Sequence, residues 1–266
     1  MKAIVTDLIA EQASFDTFCA RLTDAQWEAP ASNTEWTIKE ELLHIAAFDA
    51  AARAMLSGGW NVVNEFADKY FGHDEIYRVT AFQHLTGAEV LDGWRVLRTQ
   101  MDAAFLEKNP KDRVPWAPGL PMAARSLASA RLMELWAHSV DVYDAFGLET
   151  PVTDRIQAVL FLGWQARPNA YRINGLEMPD TPLYVEVTLP SGATWAKGDP
   201  GAENWIKGSA RDWALCVVRR RRPEDLPALE VHGAEAERYA QVVQAFAGEA
   251  SQAASGLQGE PLELPG

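Results

Sequence analysis

Three side chains in the stretch RLMELWAHSVDVYDAFG, residues 131–147, have the types and spacing to do chemistry together. Glu134, His138 and Asp141 stand at i, i+4 and i+7, on one face of a single helix in an otherwise apolar segment. A carboxylate and an imidazole one turn apart reach the same point in space, and inside a helix bundle they either bond to each other or hold a metal ion. A further histidine, His44, sits in a second apolar helical stretch, ELLHIAAFDAAARAML. Zn²⁺ and similar divalent ions take imidazole and carboxylate, and a catalytic centre keeps three protein ligands with the fourth position left for water or substrate. His44 with Glu134 and His138 makes such a trio, and no fourth soft ligand stands nearby, which argues against a closed structural site. The same residues also fit a blander reading, a core ion pair beside a satisfied histidine. Asp141 and Asp49 have the spacing either of carboxylates that orient His138 and His44 or of ordinary surface charges. His73, His84 and His232 have no ligand-like neighbour and read as structural.

The elements that must carry these residues are helices. Apolar positions at helical spacing (Ile4, Leu8, Phe15, Phe18, Leu22) predict a first helix over residues 3–22. A capping box from Thr37 to Glu40 opens a long Ala-rich helix to about residue 56, placing His44 two turns in, away from the frayed end. Residues 57–85 read as a loop with short helical turns, and a second capping box, Thr86 to Glu89, starts a helix to about residue 107. KNPKDRVPWAPGLP is a Pro/Gly connector, after which a fourth helix runs from Pro121 to Phe146, with Gly147 as its stop. A fifth helical stretch covers about 153–166. Beyond Pro182 the period changes from 3.6 to 2: LYVEVTL and ATWAKG read as a hairpin, SARDWALCVVR as helix or strand, ALEVHG as a strand, and AEAERYAQVVQAFAG as a closing helix. The expected architecture is α+β, an N-terminal four-helix bundle over residues 1–168, a linker at 169–180, a small C-terminal α/β module at 181–249 and a mobile tail at 250–266.

Composition narrows the partners. A net charge of −13 over 266 residues argues against nucleic acid and against an anionic membrane surface. No apolar run reaches the length of a membrane span and no secretion signal is visible, so the expected location is the cytoplasm. Cys19 and Cys216 are far apart in apolar runs, excluding a disulfide scaffold or a zinc finger. Ten tryptophans can wall a cavity or simply pack. GxSxG, P-loop, GxGxxG and HExxH motifs are all missing, which leaves the His/Glu cluster as the chemistry on offer.

The pattern W-T-x-x-E-x-x-x-H-x-x-x-x-D (Trp36, Thr37, Glu40, His44, Asp49), followed by Arg131 to Gly147, resembles the DinB-like superfamily. Within it the chain is similar to the branch of mycothiol-dependent maleylpyruvate isomerases and their uncharacterised metal-binding relatives from actinobacteria, over roughly residues 1–165. Gly208 to Arg221 is also similar to their C-terminal module, and the Ala-, Arg- and Trp-rich composition suits an actinobacterial source. The resemblance implies a DinB-like bundle with His44, Glu134 and His138 as ligands of a divalent metal, Zn²⁺ first and Ni²⁺ or Fe²⁺ as options. It also implies mycothiol as a cofactor that, once ionised, adds to an electrophilic cis-alkene; rotation and elimination then isomerise it, and attack without elimination is S-transfer. A basic residue of the C-terminal module is implied in catalysis, with Arg219 and Arg220, and also Arg211, as the candidates. Trp136 and the loop bearing Trp116 are expected to wall the cavity.

The leading expectation is a metal-dependent, thiol-using isomerase or S-transferase acting on a small electrophilic metabolite, as monomer or homodimer. A metal-dependent hydrolase, lyase or cyclase without a thiol is the alternative. A non-catalytic metal- or small-ligand-binding protein is the third.

Overall fold

The computed structural model describes residues 1–58, 82–117, 120–256 and 259–264. The chain divides into two compact units, Met1–Leu148 together with Glu260–Gly266, and Glu149–Gly259. Most of the loop expected at 57–85, with His73, lies outside the described residues.

The first unit is built on four long helices: α1 (Lys2–Cys19), α3 (Ile38–Ser57), α4 (Gly87–Leu106) and α5 (Ala124–Ala145), with the single-turn α2 (Asp24–Trp27) between the first two. Both expected capping boxes are made. Thr37 Oγ1 accepts from Glu40 N at 3.2 Å while Glu40 Oε2 accepts from Thr37 N at 2.8 Å, and Thr86 with Glu89 repeats the arrangement at α4. These reciprocal bonds satisfy backbone donors that a helix start leaves orphaned, so α3 begins at a defined residue and His44 keeps a fixed height. α3 packs on α4 and α5, and α1 packs on the same two, which closes the bundle. Small residues on α3, among them Ala46, Ala47, Ala50 and Ala51, are buried. Trp27 needs a gap: a Cβ on Gly87 would lie 2.0 Å from its indole ring.

The connector before α5 holds more structure than a turn. β1 (Arg113–Ala117) and β2 (Leu120–Ala123) form an antiparallel ribbon that pairs Pro115 with Pro121. α5 accordingly starts at Ala124, not at Pro121. A two-stranded ribbon has free edges, so prolines that cannot donate are tolerated there.

The second unit starts with a 3₁₀ turn, Asp154–Ile156, and then α6 (Gln157–Gln165) and α7 (Arg167–Ile173). The fifth helix expected at 153–166 therefore belongs to this unit, and the expected linker at 169–180 opens inside α7. A four-stranded sheet follows, in the order β4 (Thr194–Gly198), β3 (Leu183–Thr188), β5 (Asn204–Ser209), β6 (Leu229–His232). β3 and β4 make the expected hairpin, pairing Val187 with Trp195, and β3 runs parallel to β5. The ambiguous SARDWALCVVR is a helix, α8 (Ala210–Val217), capped by Ser209, whose Oγ accepts from Asp212 N at 3.0 Å. α9 (Ala234–Val242) follows β6.

The chain then returns to the first unit. Leu262 N donates to Ala145 O at 2.8 Å and Gln26 Nε2 to Glu263 O at 2.7 Å. At the end of α5, Gly147 turns with φ +65°, and a Cβ there would come within 3.0 Å of the Pro261 ring. Residues 260–264, expected as part of a mobile tail, are a strap bonded to the bundle. No helix among the described residues is long and apolar enough to cross a membrane.

Candidate metal centre

His44 from α3 and Glu134 and His138 from α5 come together in the first unit, with one ligand atom of each within 4.8 Å of the others. Glu134 Oε2 stands 3.8 Å from His44 Nε2 and 3.5 Å from His138 Nε2. Those separations are too long for good hydrogen bonds. They are close to the edge of a coordination tetrahedron, whose ligand atoms stand roughly 3.3 Å apart when metal–ligand bonds are about 2.0–2.1 Å. The two imidazoles lie 4.5 Å apart between centroids, and both are buried.

The electrostatics suit a cation. Burial opposes the charge on Glu134, yet the two imidazoles beside it and Arg131 hold its carboxyl well below the usual range. Burial and the neighbouring His138 push His44 below the ordinary imidazole value, against the pull of Glu134. An ionised carboxylate and a neutral imidazole are the forms in which these groups ligate a metal. Two imidazoles and one carboxylate, once deprotonated, are a donor set for Zn²⁺ or a similar borderline ion, so the residues present fit the group that the resemblance implies.

The support behind His138 differs from expectation. Its Nδ1 is hydrogen-bonded to Glu41 Oε2 at 2.6 Å, while Asp141 Oδ2 lies 3.8 Å from the same atom. Glu41, fully buried on α3, is the nearer orienting carboxylate, and the spacing within α5 gave no sign of it. Its signal was Glu41 and His44 at i and i+3, obscured because Glu41 also reads as an acidic residue of a helix's first turn. Asp141 instead accepts from Asn33 Nδ2 at 3.0 Å, and its carbonyl accepts from Ser32 N, also at 3.0 Å, so it pins the segment before α3. Glu41, His138 and Asp141 form a second group of potential ligands, but their shared nitrogen is occupied by the Glu41 hydrogen bond.

Asp49 does not orient His44. It accepts from Arg131 Nε and Trp94 Nε1, each at 2.9 Å, in a buried ion pair that joins α3 to α5. The arginine in RLMELWAH is buried too, and a buried guanidinium takes the nearest carboxylate. The walls also differ. Trp36 stacks on His138 at 5.8 Å and lies 4.9 Å from His44, and Phe48 lies 4.6 Å from His44. Trp136, by contrast, is packed in the core, and Trp116 is over a third exposed.

The arginines considered for catalysis are in the second unit. Arg219 bonds Gln241 O at 2.6 Å and Ser251 O, and Arg220 Nη1 bonds Val218 O at 3.0 Å, so both hold backbone carbonyls of their own unit. Arg211 pairs with Glu149 at 3.5 Å, and His232 stacks on Trp205.

Residues 8–143 match the mycothiol maleylpyruvate isomerase N-terminal domain. The chain belongs to that family. The matched residues span all three members of the proposed cluster. An uncharacterized protein of Mycobacterium tuberculosis, found in two strains, is 34% identical over 247 residues, covering 92% of this chain and 95% of its own. Solved structures of mycothiol-dependent maleylpyruvate isomerase, one of them a mutant, are 14% identical and share the fold, with TM-scores of 0.56 and 0.54 over 86% of this chain and 92% of theirs. The α+β reading, a helical bundle followed by a small α/β module, stands.

Proposed function

We propose that the chain is a metal-dependent enzyme that uses a low-molecular-weight thiol, mycothiol by family likeness, to isomerise a small electrophilic metabolite. The observation that carries this reading is the convergence of His44, Glu134 and His138, with Glu134 Oε2 3.8 and 3.5 Å from the two imidazole nitrogens. A divalent ion bound there would act as a Lewis acid that lowers the pKa of a thiol and leaves a coordination position for it.

The chain's own groups define the rest. His44 is kept neutral and presents Nε2; Glu134 is kept ionised and offsets part of the ion's charge; His138 is held by Glu41 so that the same edge of its ring faces the cluster. Trp36 and Phe48 cover the imidazoles and restrict water at their faces. Arg131 and Asp49 form a buried ion pair between α3 and α5.

Metal analysis of the purified protein, followed by calorimetric titration with mycothiol with and without Zn²⁺, tests the proposal. One equivalent of metal is expected, with thiol binding only in its presence, and His44→Ala should lose both. A protein that takes up none of Zn²⁺, Ni²⁺ or Fe²⁺ stoichiometrically would end the proposal. Metal uptake without thiol affinity would move the assignment to a hydrolase, lyase or cyclase.

A further inference from the structure

The hydrogen-bond chain behind His138 has a direction. Trp36 N donates to Thr34 Oγ1 at 3.2 Å, Thr34 Oγ1 donates to Glu41 Oε1 at 2.6 Å, and Glu41 Oε2 accepts from His138 Nδ1 at 2.6 Å. Each member has one role open to it. The backbone N–H can only donate, so the threonine oxygen accepts there and turns its hydrogen to the carboxylate. An ionised carboxylate can only accept, so the imidazole facing it places its hydrogen on Nδ1. In a neutral ring its other nitrogen, Nε2, then carries the lone pair, 3.5 Å from Glu134.

We propose that Glu41, backed by Thr34, is a positioning residue that fixes the proton of His138 on Nδ1 and turns Nε2, as a lone pair, toward Glu134 and His44. The inference rests on the metal reading above for its use, but not for its geometry. Carboxylates behind metal-binding histidines fix the tautomer and raise ligand basicity. Here the device reaches back two further links, to a backbone amide in the loop before α3.

The chain makes a sharp prediction for Glu41→Gln. Thr34 still accepts from Trp36 N and still has a hydrogen to give, so the amide oxygen of the new side chain stays on Thr34. Its NH₂ group then faces His138 Nδ1, which must become an acceptor, and the imidazole hydrogen moves to Nε2. The metal-facing lone pair is lost with little change in shape. Thr34→Val removes what holds the amide in that orientation, so the double variant Thr34→Val/Glu41→Gln can present its oxygen to Nδ1 and restore the original ring.

The experiment is a two-bond ¹H–¹⁵N correlation spectrum of the full-length, metal-free protein at neutral pH, with a competition titration of Zn²⁺ on the same samples. Wild type should show an Nδ1–H ring for His138. Glu41→Gln should show an Nε2–H ring with Zn²⁺ affinity weaker by about ten- to a hundredfold. The double variant should recover the wild-type ring and part of the affinity. An Nε2–H ring or an imidazolium in wild type overturns the inference, as does a Glu41→Gln protein whose ring and Zn²⁺ affinity are unchanged. If Glu41→Gln does not fold, the wild-type spectrum decides alone. A wild-type protein with the Nδ1–H ring but no Zn²⁺ affinity supports the role of Glu41 and sinks the metal reading, so the two failures are distinct.

Discussion

Two buried polar clusters cross from α3 to α5, and they are built in opposite ways. In one, Asp49, Arg131 and Trp94 satisfy each other: both carboxylate oxygens accept at 2.9 Å, and Arg131 also donates to Ile45 O at 3.3 Å. In the other, less than two helical turns away along each helix, Glu134 faces two imidazole nitrogens at the longer distances of 3.5 and 3.8 Å. The residue types overlap, and both clusters sit in the core. The difference is whether donors and acceptors match. A matched cluster needs nothing more and serves as a strut, whereas acceptors gathered around one point are stable only if a cation or a proton joins them.

The largest effect should come from unbalancing the strut. Arg131→Met leaves Asp49 buried and unpaired, and should cost about 3–5 kcal/mol in urea unfolding. Asp49→Leu with Arg131→Met should regain most of that loss. A single variant as stable as wild type would break the comparison.

Next comes the response to metal. Zn²⁺ at about a hundred times its Kd should add roughly 2.7 kcal/mol to the stability of wild type and nothing to His44→Ala. The Asp49/Arg131 double variant should keep that gain. Losing it would mean that the strut and the centre are one network.

A smaller effect involves Asp102 on α4, outside both clusters. Burial pushes its carboxyl up to about 7, against the hydrogen bond from Gln12. The folded protein therefore holds a proton that the unfolded chain releases near pH 4, so this residue's contribution is fully present below that point and is lost as pH rises through 7. Asp102→Asn should flatten the pH profile of stability between 4 and 8 and raise it by about 1–2 kcal/mol at the alkaline end, after allowance for solvent screening. The smallest expected change is Thr86→Ala, a capping loss of about 1 kcal/mol with the Zn²⁺ response untouched.

The sequence made the matched residue types visible but not the matching. His44, Glu134 and His138 were legible because helical period and apolar flanks put each on an inward face. Partner choice between helices was not: Asp49 took Arg131 and His138 took Glu41, since which carboxylate meets which donor depends on the relative height of α3 and α5. Capping boxes at Thr37 and Thr86 were legible because they are local. The start of α5 was misread because Pro121 suits both a helix's first turn and a ribbon edge, and pairing with β1 decides between them. The boundary between the units was misplaced for a similar reason. α6 has the same period as the bundle helices, and only its packing on α7 and α8 assigns it to the second unit.

Gly147 and Pro261 touch, and the whole of 149–259 is folded between them as a separate unit. In topology the second unit is thus an insertion in the first, entering and leaving at neighbouring points. The order of synthesis follows: the bonds from residues 262 and 263 to the bundle form only after the inserted unit has been made. The helical unit is the first to begin folding and the last to be completed.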